Sequence, residues 1–353
     1  MVDRADLQQM LDSMVRGGGT TLHLTADAPP SVRLQGRLIR SQDGDVASND
    51  IWNLIDDIVT PEQRQQLEAG GEVRGLFVSD SGVCFRNALM LDQGGPNMVF
   101  RRLPARVPSL DELNLPEVLA SFTQFNSGLV LVTGFMGSGK SATLAALVDR
   151  VNQSAVSHIV TIEQPIEYLH ESNQTMLHQR EVGRHVHGFA DGVREAVQQS
   201  ADVIMVADLP DAETVDAVLN ATERGCLVFA GLRANSVVGA IETLFAMNRD
   251  AGHRFSGRFV ESLRALTAQT LLFHGHSRDR VPLLEIAINN QAVRRAILSQ
   301  SLEELSAIMD RARGLGMQTA DRGLKDLLSL KLITQDEALY HALDRDWLFK
   351  RGG

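Results

Sequence analysis

Apolar residues first recur at helical spacing. Leu7, Met10, Leu11, Met14 and Val15 fall on one side of a helix that Gly17, Gly18 and Gly19 bring to an end. The period then drops to two. "TLHLT" (21–25) sets Leu22 and Leu24 on one face, and after Pro29 and Pro30 "SVRLQGRLI" (31–39) alternates again, with Val32, Leu34 and Leu38 expected inward. "NDIWNLIDDIV" (49–59) reads as a helix and Pro61 opens the next. "GLFVS", "VCFRNALML" and "MVFRRL" read as strands. The pattern predicts a small α+β domain over residues 1–103, followed by a linker at 104–109, "PARVPS", which has two prolines and no apolar period.

Beyond the linker the pattern becomes strand, helix, strand. Residues 129–133 form a continuous apolar run, as in a parallel strand buried on both faces. A helix follows with Leu144, Leu147, Val148 and Val151 on one face. Further buried strands are expected at 158–162, 203–206 and 226–232, separated by helical segments. This is an α/β sheet with crossover helices, expected over 110–300. "LLFHGH…VPLLEIAI" (271–288) reads as a late hairpin, and residues 301–353 as a mostly helical C-terminal region.

Composition narrows the class. The 353 residues are 44% hydrophobic and 22% charged, which is ordinary for a globular chain of two domains. No run of about 18 apolar residues occurs, so no membrane-spanning helix is expected. The opening "MVDRADLQQM" lacks the apolar centre of a secretory signal. Cys84 and Cys226 have no partner spacing, which fits a reducing cytoplasm and excludes a tetracysteine zinc site. A net charge of −10 makes nucleic acid a poor partner. The pairs His185/His187 and His274/His276 lie in loop or hairpin sequence with no third ligand nearby and read as solvated side chains.

The strongest chemical signal is "GFMGSGKSA", residues Gly134, Phe135, Met136, Gly137, Ser138, Gly139, Lys140, Ser141 and Ala142. It fits G-x-x-x-x-G-K-[ST] between a strand and a helix, the context that gives the motif its meaning. Backbone N–H groups of such a loop wrap phosphates, Lys140 reaches the β- and γ-phosphates of ATP, and the Ser141 hydroxyl ligates Mg²⁺. The helix N-terminus adds a favourable field for the anion.

From this loop outward the chain resembles the type IV pilus retraction ATPases (PilT/PilU-like) of the type II/IV secretion ATPase superfamily, over nearly its whole length. "TIEQPIEYLHES" resembles the Asp box, "HQREVG" the family's Q-R-E-V segment, "SADVIMVADLPDAET" the Walker B segment and "ERGCLVFAGLRANS" the His box. "AVRRAIL" and "LGMQTADRGLKDLLSLKLIT" resemble the family's later motifs. The longer N-terminal region and four-cysteine insertion of assembly and export ATPases are missing. The resemblance implies an α/β P-loop (RecA-like) ATPase core, an N-terminal α+β (PAS-like) domain and a helical C-terminal extension. It further implies ATP and Mg²⁺ as ligands and a homohexameric ring at the cytoplasmic face of the inner membrane. Expected partners are a pilus platform protein and a paralogous retraction ATPase.

Several family positions depart from the pattern. Glu163 and Glu167 remain in the Asp box, but Gln164 stands where an aspartate is usual. Asp208 replaces the Walker B glutamate, and Ala207 the glycine before it. Cys226 and Arg233 replace both His-box histidines. Arg233 either reaches phosphate or pairs with a neighbour; Glu167 is either functional or a solvated acid at a helix start. Pro210 replaces an arginine, Asp211 stays, and Arg194 matches a family arginine while Gln198 does not. Arg86 and Arg101 stand where the family presents arginines to a neighbouring active site, and Cys84 where another is usual. Glu163, Asp208, Arg86 and Arg101 are therefore the candidate catalytic residues. Two functions follow: a motor with weak hydrolysis, or a nucleotide-binding accessory subunit that does not hydrolyse and works with an authentic motor.

Overall fold

The computed structural model describes residues 2–345 apart from 35, 43 and 278. The end of the expected C-terminal region, 346–353, lies outside the described residues. The chain divides into two compact units, Met1–Ala105 and Arg106–Gly353.

The first unit is an antiparallel sheet with helices on one face. Its strands are β1 (Thr21–Thr25), β2 (Ser31–Leu34), β3 (Arg37–Arg40), β4 (Val73–Val78), β5 (Cys84–Asp92) and β6 (Gly95–Arg102), in the order β3-β2-β1-β6-β5-β4. Leu7, Leu11 and Met14 of helix Arg4–Arg16 pack with Ile51, Leu54, Ile55 and Leu67 of the next two helices against Leu22, Leu24, Phe85, Leu89, Met98 and Phe100. Burying each such large side chain contributes about 1.5–3 kcal/mol. The opposite face carries a register row that crosses the whole sheet: Leu38, Arg33, Thr21, Arg101, Arg86, Leu76. "SVRLQGRLI" is not one strand. It turns back at Gly36 (φ +81°), beside residue 35, which lies outside the described residues. Leu38 therefore pairs with Arg33 on the outer face and is 52% exposed, contrary to its expected inward position.

The second unit is built on a seven-stranded sheet. Its strands are β7 (Gly128–Thr133), β8 (His158–Glu163), β9 (Met176–Glu181), β10 (Val203–Val206), β11 (Leu227–Leu232), β12 (Leu263–Phe273) and β13 (Arg280–Ile288). The order is β13-β12-β7-β11-β10-β8-β9, all parallel except the edge strand β13. Apolar side chains fill both faces. Helix Lys140–Ser154 and residues around Leu119 and Phe122 cover one; helices Phe189–Gln198, Ala212–Glu223, Val237–Met247 and Gly252–Ser262 cover the other. The uninterrupted apolar runs of β7, β10 and β11 have this double cover as their cause. Strand β9 was not expected as a strand: it is an edge with Met176 and His178 exposed, so its sequence carries no buried run. Three short helices, Leu305–Arg311, Ala320–Ser329 and Gln335–His341, end the described chain. No helix among the described residues is long and apolar enough to cross a membrane.

Candidate functional site

In a parallel sheet the loops after the C-terminal strand ends converge, and ligands bind there. Four such ends carry the singled-out residues: Gly134 follows β7, Glu163 ends β8, Asp208 lies just beyond β10, and Arg233 directly follows β11.

The loop after β7 is held from below by a residue the sequence reading passed over. Gln269, 3% exposed in β12, donates from Nε2 to the Ser138 carbonyl (2.9 Å) and accepts from Thr143 Oγ1 (2.7 Å). A Cβ at Gly134 (φ +154°) would lie 2.3 Å from Ser138 Oγ and 2.5 Å from the Gln269 carbonyl; one at Gly139 (φ +90°) would lie 2.7 Å from Gln269 Nε2. Glycine is therefore required at both positions by backbone angle and by close approach. A glutamine inside the uncharged, strand-like run "LTAQTLLF" was the available signal. Phe135 and Met136 are exposed at the loop's tip, and Ser141 and Ala142 lie in the first turn of the following helix. Lys140 Nζ donates to the carbonyls of Gly134 and Phe135. Burial lowers its proton affinity; Asp208 opposes that, Arg233 adds to it, and Glu167 opposes it.

Glu163 is buried and held in place. Its Oε1 accepts from Thr161 Oγ1 (2.8 Å) and from Gln179 Nε2 (3.1 Å). Gln179, of β9, is fixed in turn by the Tyr168 carbonyl and the His170 N–H. Burial pushes the Glu163 carboxyl up to about 7, against hydrogen bonds from Thr161, Gln179 and the Glu167 backbone; the Glu167 charge adds to the rise. A carboxyl poised near neutrality is suited to accepting a proton. β8 is separated from β7 by β10 and β11, and the charge of the exposed Glu167 acts on both Lys140 and Glu163.

Asp208 and Arg233 meet. Arg233 Nη2 lies 3.0 Å from Asp208 Oδ2, with the arginine side chain 74% exposed and the aspartate 20%. Gly231, just before, has no room for a side chain: a Cβ there would lie 2.1 Å from the Ala207 carbonyl. Cys226, the other His-box replacement, precedes β11 at the opposite end of the strand from the loop. It is 5% exposed, and its Sγ donates to the Ala201 carbonyl (3.2 Å) while burial raises its thiol.

The remaining candidates serve local structure. Asp211 caps helix Ala212–Glu223 by accepting from the Thr214 N–H (2.8 Å). Arg194 pairs with Glu213 (2.7 Å) and Asp191 (3.2 Å). Gln164 is exposed. His185 Nδ1 accepts from the Glu181 N–H, and His274 Nδ1 from the His276 N–H. Arg86 and Arg101 belong to the first unit, where they are direct cross-strand partners in β5 and β6.

Known proteins resemble the chain over almost all of its length. Residues 71–323 match the family described as Type II/IV secretion system protein. The chain is 34% identical to the type IV pilus retraction ATPase PilT of Pseudomonas aeruginosa, covering 94% of this chain and 97% of that one. It is 30% identical to the type IV pilus ATPase PilU of the same organism, covering 96% and 88%. A solved structure of the pilus retraction motor PilT with bound ADP superposes with a TM-score of 0.90 at 32% identity, covering 98% of this chain and 99% of that one.

Proposed function

The chain belongs to the type II/IV secretion system protein family, and on that footing we propose that it is an ATP-binding motor subunit of a type IV pilus machine, acting in retraction. The observation that carries the reading is the loop 134–141, whose glycine geometry is fixed by Gln269, together with a buried carboxyl at Glu163 poised near pH 7.

In this reading the loop's N–H groups and Lys140 hold the phosphates of ATP. Mg²⁺ bound with a nucleotide takes only one or two protein oxygens. The Ser141 hydroxyl in the helix's first turn and the Asp208 carboxylate are hard oxygen donors of that kind, and the ion would offset charge on the phosphate oxygens. Glu163 takes the proton of the attacking water as its oxygen bonds to the γ-phosphorus and the bond to the β-bridging oxygen breaks, giving ADP and phosphate. Hydrolysis is slow, because the Asp208 carboxylate is engaged by Arg233. Arg86 and Arg101 act on the phosphates of a neighbouring copy in a closed ring of six, built from head-to-tail contacts. The ring works at the cytoplasmic face of the inner membrane, against a pilus platform protein.

The Asp208–Arg233 ion pair also favours a second reading. In it the chain binds ATP without turnover and accompanies a paralogous retraction ATPase. Phosphate release by the purified protein with Mg²⁺-ATP, beside nucleotide binding and a Lys140→Ala control, separates the two. Turnover abolished by Lys140→Ala supports the motor. Binding without turnover supports the accessory subunit, and absence of binding refutes both.

A further inference from the structure

One carboxylate holds the start of two helices. Glu285, in the edge strand β13, accepts from the Val237 N–H at Oε2 (2.7 Å) and also accepts from the Ala320 N–H. Val237 is the first residue of helix Val237–Met247, and Ala320 the first of helix Ala320–Ser329. The first N–H groups of a helix have no partner within it, and a negative charge placed there is favoured by the helix field. The residue before each helix leaves that N–H to Glu285. Ser236 uses its hydroxyl on the Gly239 N–H (3.0 Å), and Thr319 makes no side-chain cap bond. Burial raises the Glu285 carboxyl, the Val237 and Ala320 N–H groups lower it, and the Asp321 charge adds to the rise.

The two helices lead to different parts of the second unit. Before Val237 the chain runs back through the buried Ala234 to Arg233 and the end of β11. There Leu232 pairs with Thr133, and the Gly134 N–H donates to the Leu232 carbonyl (3.2 Å). This short segment therefore joins the phosphate loop at one end and Glu285 at the other. On the second side, Asp321 accepts from the N–H groups of Leu343 and Asp344 (2.8 and 3.0 Å), which ties the first turn of helix Ala320–Ser329 to the last described residues. Glu285 is the side chain at which the two sides meet.

We infer that Glu285 is a positioning residue for the nucleotide site: by holding both N–H groups at once it fixes the segment that carries Arg233 relative to helix Ala320–Ser329, so that the C-terminal helices take part in setting where Arg233 and Asp208 lie. This rests on the reading of loop 134–141 as an ATP site and adds the far end of the chain to what shapes it. The geometry also permits a change at a single atom. Proline lacks the N–H and is well tolerated as the first residue of a helix. It requires the residue before it to be extended, and Thr319 is (ψ 159°). Ala320→Pro therefore deletes one hydrogen bond to Glu285 and keeps the helix.

The test compares the full chain with Ala320→Pro, Glu285→Ala, Glu285→Gln and Ala320→Pro/Glu285→Ala variants. Three quantities are read: affinity for a non-hydrolysable β,γ-imido ATP analogue with Mg²⁺, phosphate release from Mg²⁺-ATP, and backbone amide exchange over residues 233–240 with the analogue bound. Ala320→Pro is expected to speed exchange over 233–240 about threefold and to lower kcat by a similar factor. Affinity stays within about twofold, because Gln269 holds the phosphate loop independently. Glu285→Ala has the larger effect, about tenfold, and Glu285→Gln, which keeps one acceptor oxygen, lies between. Adding Ala320→Pro to Glu285→Ala changes nothing further. The inference is overturned if Ala320→Pro leaves exchange over 233–240 unchanged, or if it acts equally with and without Glu285. Exchange alone decides the matter if the parent binds nucleotide without turnover. A parent that binds no nucleotide would sink the ATP-site reading and this role with it, and the affinity measurement keeps that outcome apart from the others. Melting curves report the folding of each variant, and Glu285→Gln takes the place of Glu285→Ala in the pair if the latter does not fold.

Discussion

The carboxylate of Asp208 and the guanidinium of Arg233 lie 3.0 Å apart, joined across the ends of two adjacent parallel strands. Each residue alone looks like a loss: a shortened acid at one family position and a missing histidine at another. Together they form one charge-compensated unit beside the phosphate loop, and changes at either should be read against the other.

Asp208→Glu alone is expected to change turnover by less than about threefold, because the longer acid still meets Arg233 and the proton goes to Glu163. Glu163→Gln should lower turnover about 100-fold or more. Steady-state phosphate release measures both. A tenfold gain from Asp208→Glu would assign the proton to position 208 instead.

Turnover should rise with pH through about 7, following ionisation of Glu163, and the Glu163→Gln residue should show a flat profile. Stability carries the opposite sign. The folded carboxyl keeps its proton to about pH 7, whereas an unfolded chain releases it near 4.5. Folding therefore loses stability as pH rises across that window. Glu163→Gln should stabilise the protein by up to about 3 kcal/mol at pH 8 and by little at pH 4. Urea unfolding at the two pH values decides it, and equal effects at both would contradict the assignment.

His170 works the other way. Its side chain is 1% exposed, neither ring nitrogen has a hydrogen bond, and burial pushes it down to about 4; the carboxylate facing it, Asp149, is 4.0 Å away and is itself raised by burial. The neutral ring is compatible with folding above the unfolded value of 6.5, and stability is lost as pH falls from there through 4. His170→Leu should remove up to about 3 kcal/mol of that acid sensitivity between pH 7 and 4. Parallel denaturation curves for parent and variant would refute this.

Gln269→Leu should cost about 1–3 kcal/mol by leaving the Ser138 carbonyl and the Thr143 hydroxyl without their buried partner. Nucleotide affinity should fall about tenfold, since the loop is no longer pre-shaped. Calorimetric binding on the folded variant checks the second effect separately from the first.

Mixing Lys140→Ala with Arg101→Ala should restore part of the turnover that each lacks alone. In the proposed ring, assembly of both variants would create seams at which an intact Arg101 faces an intact Lys140. Two inactive variants that stay inactive when co-assembled would show that Arg101 does not act across subunits.

Legibility in the sequence followed the range of the constraint. Strands β7 and β10 were readable because double burial forces consecutive apolar residues, and the phosphate loop because its backbone demands glycine at fixed spacing. The hairpin of β2 and β3 kept an alternating pattern through its turn, so Leu38 was assigned to the wrong face. β9 was hidden by its exposed edge. Glu163, Asp208 and Arg233 were found by motif, and a pairing of Arg233 with a neighbour was one of two readings, but Asp208 was not named as the partner, because that depends on β10 and β11 lying side by side. Gln269 was missed because its partners are brought to it only by the pairing of β12 with β7.

That same strand has a mechanical meaning. On one side β12 grips the phosphate loop through Gln269. On the other it pairs with β13 along its length, and β13 bonds back and forth to Gln318 through Ile286 (2.8 and 3.0 Å). Gly275, just past β12, donates to the Leu332 carbonyl (2.9 Å), and the Phe273 N–H to Glu337 (2.8 Å). The hairpin thus has the phosphate loop at its root and the last helices hydrogen-bonded to its far arm. Because these contacts run without a break from the loop to the last helices, a displacement at one end is expected to be felt at the other.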